Sequence, residues 1–176
     1  MNLEHKFCAL GTDVTVTDGT TISGYASLFG KADQGGDVVE RGAYAASLER
    51  NHGVKMLWQH DPAQPIGVWD EVREDERGLW VKGRLLTDVA KGREAASLIG
   101  AGAIDGLSIG YRTVKARKDD KGHRLLSELE LWVVSLVTFP MLPDARVGAK
   151  GDDPADAALR DLASAFESAR RLMARD

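Results

Sequence analysis

The stretch Leu125-Leu126-Ser127-Glu128-Leu129-Glu130-Leu131-Trp132-Val133-Val134-Ser135-Leu136-Val137-Thr138-Phe139 decides the fold. It is the longest run in the chain that reads as extended. Pro140 and Pro143 end it, because proline cannot donate to a strand ladder. Upstream, Lys118 to His123 is a charged turn, and Leu107 to Lys115 alternates apolar and polar residues as a second strand. Ile66 to Val72 and Gly78 to Leu86 read as a hairpin turning around Glu74 to Arg77. Val54 to Gln59 is a short apolar strand ended by His60-Asp61-Pro62. Nearer the N-terminus, Asp13 to Thr17 and Thr21 to Phe29 pair across the turn signal Asp18-Gly19. Lys31 to Asp37 is a glycine-rich loop.

Helical signals are few. Gly42 to Arg50 places Tyr44 and Leu48 one turn apart. Thr87 is the predicted cap of a helix through Ile99, with Asp88 near its positive end and Gly100 to Gly102 as its stop. Six or more strands with two short helices predict a β-rich α+β fold, a barrel or sandwich with helical decoration. The polar segment 148–153 reads as a linker. Beyond it, Asp153 caps a helix with Pro154 at its first position. Leu159, Leu162, Phe166, Ala169 and Met173 form a narrow apolar seam along it. The predicted organisation is a domain over 1–147, a linker over 148–153 and an amphipathic helix over 154–176. That helix either packs on its own domain or serves self-association and docking.

Composition narrows the function classes. A chain of 176 residues can bury a core without disulfide or metal staples. The formal net charge of −4 argues against general nucleic-acid affinity, which needs an excess of Lys and Arg. The single cysteine, Cys8, excludes a disulfide framework and a cysteine-rich zinc site, and it reads as a small core residue. No apolar run approaches the ~18 residues of a membrane span. The charged N-terminal ten residues do not read as a secretory signal. Gly30, Gly35 and Gly36 lack the Gly-Lys-Ser/Thr of a phosphate loop. The spacing of Asp33, Asp37 and Glu40 does not match a calcium loop. No cofactor or metal is expected.

Gly106-Leu107-Ser108-Ile109-Gly110 fits Gly-x-Ser-x-Gly, in which glycines leave room for a substrate beside the hydroxyl. The α/β-hydrolase reading of that pattern fails. It requires a histidine late in the chain, and only His123, in a charged turn, follows Ser108. A preceding base serves equally well, since such sites are defined by geometry. His5, His52 and His123 lie in polar surroundings. His60 instead ends the apolar run Met56-Leu57-Trp58, where an imidazole is positioned and partly desolvated as a general base must be.

Four stretches in order resemble one family. They are Gly24-Tyr25-Ala26-Ser27-Leu28-Phe29 with Asp37 and Arg41-Gly42-Ala43-Tyr44; Met56-Leu57-Trp58-Gln59-His60-Asp61 with Ile66-Gly67; Gly106 to Tyr111; and Val134-Ser135-Leu136-Val137-Thr138-Phe139-Pro140. Over residues 20–147 the chain resembles the prohead proteases of tailed double-stranded DNA phages, related prophages and gene transfer agents. The resemblance implies a β-barrel surrounded by helices, like herpesvirus assemblin. It implies a serine endopeptidase that cleaves the scaffolding segment of the major capsid protein inside the procapsid, in the bacterial host cytoplasm. Portal or scaffold proteins, further copies of the chain and self-cleavage enter as further partners and events.

Residue by residue, the family's nucleophile falls on Ser108 and its base on His60. The position where members carry a helper glutamate holds Val133, which cannot orient an imidazole. Glu128 and Glu130 are near in sequence, Glu130 being the candidate third member, but strand alternation turns both away from the Val133 face unless a β-bulge re-aims one of them. Ser135 or Asp61 are the substitutes, and a simple Ser–His dyad is the remaining option. Backbone N–H groups near Ser108 would hold the oxyanion, with Arg146 as a further helper. Two rival readings stay open: a catalytically weak assembly or scaffold protein on the same fold, and another Gly-x-Ser-x-Gly hydrolase.

Overall fold

A computed structural model describes residues 4–7, 14–33, 35–50, 53–138 and 147–148. Its strands are β1 (Glu4–Phe7), β2 (Val14–Thr17), β3 (Thr21–Leu28), β4 (Asp37–Val39), β5 (Lys55–Trp58), β6 (Asp61–Glu74), β7 (Gly78–Leu85), β8 (Gly106–Lys118), β9 (Arg124–Val137) and β10 (Val147–Gly148). The helices are α1 (Ala45–Arg50) and α2 (Ala90–Gly100). All ten strands join one sheet. Its order is β1-β8-β9-β5-β6-β7-β3-β2-β10, with β4 added on β9.

The long hairpin β8–β9 organises this sheet. One edge of β9 carries β8 antiparallel; the other carries β4 and β5, both parallel. The sheet then curls, because β3 packs against β8 although four strands separate them in the hydrogen-bonded order. Inside the curl lie Ile22 and Ala26 of β3, Leu79 and Val81 of β7, Leu107, Ile109 and Tyr111 of β8, and Leu129, Leu131, Val134 and Leu136 of β9. Ala95 and Ile99 of α2 also join this core. Each large aliphatic chain so buried contributes about 1.5–3 kcal/mol, and truncating one to alanine costs about 2–5 kcal/mol.

One irregularity in β9 sets which residues face out. Gly110 lies opposite Val133, but Tyr111 lies opposite Leu131, so Trp132 is extra. Side chains alternate along a strand, and one inserted residue reverses their parity. The bulge therefore keeps Leu129 and Leu131 on the core face with Val134 and Leu136. It turns Glu130 to the outer face, shared with Val133 and Ser135.

The β-rich fold with a curled, barrel-type sheet and few helices is as predicted; among the described residues the sheet's end strands, β1 and β10, do not pair with each other. Several details differ. Thr87 does not cap α2. Val89 occupies that position with no side-chain cap, and the Thr87 carbonyl accepts from Arg93 Nη1 at 2.7 Å. The first helix starts only at Ala45, after a turn. Strand β5 ends before His60 as expected, but β6 begins at Asp61, earlier than the expected Ile66, and runs through Pro62 and Pro65. Asp61 and Pro65 pair with β5, while β7 pairs with β6 only from Gly67, and an edge tolerates proline. Gly148, the first residue of the predicted linker, pairs with Thr15 in β2. Cys8, His52, Arg146 and the predicted helix over 154–176 lie outside the described residues.

Candidate active site

The parallel pairing of β5 with β9 sets Leu57 opposite Ser135 and Trp58 opposite Leu136. Strand β5 then reverses into β6 through Gln59 and His60 alone, since Trp58 pairs with Asp61. Two-residue reversals of this kind demand positive φ at both central positions, which favours Asn-Gly. Here Gln59 has φ 50° and His60 φ 61°. Each non-glycine residue held there costs about 1–3 kcal/mol and persists only where its surroundings enforce it.

The strained turn lays the His60 imidazole over the outer face of β8 and β9. Nε2 stands 2.5 Å from Ser108 Oγ, and Nδ1 stands 3.2 Å from Ser135 Oγ. Ser108 and Ser135 are directly opposite each other in the hairpin, so one ring spans a cross-strand pair. Both serines are buried and His60 is half-buried. On this face the neighbours of Ser108 along β8 are Gly106 and Gly110, which place no side chain beside the hydroxyl. Two surface hollows are lined by other residues. One of ≈ 590 Å³ lies among Phe29, Val39, Arg41, Arg77 and Leu125, the other of ≈ 440 Å³ among Leu48, Val54, Trp69 and Val72.

The sequence-predicted pair Ser108 and His60 thus meets, and the predicted third member does not join it. The bulge re-aims Glu130 as required, but it lies opposite Arg112, four residues or ~13 Å along β8 from Ser108, the partner of Ser135. Its carboxylate accepts instead from Arg112, at 2.8 Å from Nε and 2.6 Å from Nη2. Asp61, adjacent to His60, also points elsewhere. Its oxygens accept from the Ala63 N–H at 2.8 Å and from Gln64 Nε2 at 2.7 Å. Val133 is buried between Gly110 and Lys55 in the ladder. His123 Nδ1 lies 3.0 Å from Asp119 in the hairpin turn. Of the substitutes the sequence left open, Ser135 is the one in contact with His60. Gln59, to which the sequence pattern assigns no role, has an amide Nε2 that donates to Thr138 Oγ1 at 2.6 Å and a backbone N–H that donates to the Leu136 carbonyl at 2.9 Å.

This curled β-sheet fold has a counterpart among solved structures. The solved structure of the bacteriophage T4 capsid assembly protease superposes with a TM-score of 0.63 at 16% identity, covering 78% of this chain and 98% of that one. A weaker likeness, TM-score 0.43 at 13% identity over 70% of this chain and 60% of the other, runs to the varicella-zoster virus protease. In sequence, the prohead protease of Enterobacteria phage HK97 is 30% identical over 146 residues, 79% of this chain and 64% of that protein. The chain thus matches less than two thirds of that relative's length. The model of the caudovirus prohead serine protease family matches residues 10–157, and the chain belongs to that family.

Proposed function

We propose that this chain is a serine endopeptidase that shortens the major capsid protein inside the procapsid, with Ser108 as nucleophile and His60 as general base. The observation that carries the mechanism is the 2.5 Å contact between Ser108 Oγ on β8 and His60 Nε2 in the β5–β6 turn, made by side chains 48 residues apart. Family membership supports the capsid protein as substrate. For Nε2 to accept a proton, Nδ1 must carry one, and Ser135 Oγ is placed to accept that N–H. Ser135 is therefore the third member, holding the tautomer with a neutral hydroxyl where a carboxylate would add charge.

As Ser108 Oγ bonds to the carbonyl carbon of the substrate, its proton passes to Nε2. The imidazolium returns that proton to the departing amine, leaving an acyl-enzyme, and water repeats the sequence to release the acid. Co-packaging supplies a high effective concentration of substrate, so a site lacking a charged third member suffices.

The test is co-expression with the neighbouring major capsid protein, measuring that protein's mass with the intact chain and with Ser108→Ala. Shortening that depends on Ser108 is the expected result. Assembled shells that contain this chain and only full-length capsid protein would overturn the proposal and favour a scaffold role.

A further inference from the structure

We propose that Gln59, locked to Thr138, is a positioning residue that holds the His60 imidazole in register with Ser108. The inference rests on the Ser108–His60 reading above and deepens it. The residue next to the base has three links to the end of β9. Its N–H donates to the Leu136 carbonyl at 2.9 Å, its Nε2 donates to Thr138 Oγ1 at 2.6 Å, and its Oε1 accepts from the Thr138 N–H at 3.5 Å. Gln59 and Thr138 are both exposed, so their side-chain bond contributes nothing to the core.

What the bond does is geometric. His60 sits in a reversal whose two residues both take positive φ without a glycine, a conformation that relaxes unless something holds it. The clamp ties that reversal to the strand that also carries Ser135. Both ends of the imidazole's support then belong to one element: backbone through Leu136 and Thr138, ring through Ser135. In a site with a carboxylate on Nδ1, charge would orient the ring. Ser135 offers only a neutral hydroxyl, so orientation falls to the backbone and to the side chain that fixes it.

Four variants separate positioning from mere stability. Glycine is favoured at φ 50°, so Gln59→Gly removes the clamp while relieving the backbone. Thr138→Val removes the hydroxyl at constant shape, Thr138→Ser keeps it, and Gln59→Gly/Thr138→Val combines the losses. The readouts are the rate of capsid-protein shortening in co-assembled shells and the melting temperature of the purified full chain.

Gln59→Gly is expected to slow shortening by about tenfold or more with an unchanged or higher melting temperature. Thr138→Val should slow it similarly, Thr138→Ser should restore it to within about threefold, and the double variant should be no slower than either single one. Shortening by Gln59→Gly at the parent rate, or a slowed rate that tracks a lowered melting temperature, would overturn the inference and leave the Ser108–His60 reading standing. Failure of the parent itself, indistinguishable from Ser108→Ala, would remove the reading beneath it.

Discussion

Replacing Ser135 by alanine tests its proposed role as a neutral third member beside His60. The Nδ1–Oγ separation of 3.2 Å is long for such a bond, and neither partner need be charged in the resting state. A hydrogen bond of that kind contributes about 0.5–1.5 kcal/mol net, and leaving the ring N–H without its partner raises the loss toward 2 kcal/mol. His60 is half-buried, so water can replace part of the contact. At about 1.4 kcal/mol per decade, the expected loss in kcat/KM is roughly 5- to 30-fold. That is far from the roughly 10⁴-fold that follows when a charged orienting group is neutralised in a serine protease triad. The assay is a time course of capsid-protein shortening under single-turnover conditions, with Ser108→Ala as the zero. A loss beyond about a thousandfold would mean that Ser135 does more than hold a tautomer. A rate within about twofold of the parent would mean that the site is a dyad and the Ser135 contact is incidental.

Glu130→Ala should lower stability by about 1–2 kcal/mol through loss of the Arg112 pairing, yet leave shortening within about threefold. A hundredfold slower rate, measured beside its melting curve, would return Glu130 to the catalytic machinery. In α2, a Cβ on Gly92 would collide with the Leu86 and Ile66 carbonyls. Gly92→Ala should therefore cost about 1–3 kcal/mol in a denaturant titration, and an unchanged midpoint would contradict that packing. Burial alone would raise the Asp75 carboxyl, but hydrogen bonds from Tyr25, the Arg77 and Gly78 N–H groups and Arg73 outweigh it and hold it below its ordinary value. A depressed carboxyl contributes stability above its unfolded pKa and loses it as pH falls through the folded one. The stability gap between the parent and Asp75→Asn should therefore shrink below about pH 4, and a gap constant from pH 7 to pH 3 would refute that assignment.

Much of this molecule is legible in its sequence because its signals are local. The β8–β9 hairpin shows through its length and its polar turn, and Ser108 and His60 through their glycines and their apolar strand. What escaped is non-local. The parallel joins of β4 and β5 to β9 bring together segments that no turn connects, so no punctuation announces them. Their consequence, that Ser135 faces Leu57 and comes under the imidazole, was visible only as one option among several. The extra residue at Trp132 leaves no mark either: Leu129, Leu131, Val134 and Leu136 face one way only because the register slips. The Gln59-His60 reversal escaped for the opposite reason. Turns with two positive φ values are recognised by Asn and Gly, and this one contains neither.

The place of β9 between β5 and β8 also has a consequence in time. Strand β5, which leads to His60, and strand β8, which bears Ser108, do not pair with each other; each pairs with β9, the last of the long strands to be synthesised. At ribosomal speeds of about 5–20 residues per second, His60 and Ser108 both leave the ribosome seconds before residue 136. Until that residue inserts, nothing holds imidazole and hydroxyl together, and closing so long a loop is slow compared with forming a hairpin. His60 and Ser108 are thus brought together only when β9 joins the sheet, ahead of β10 at its far edge.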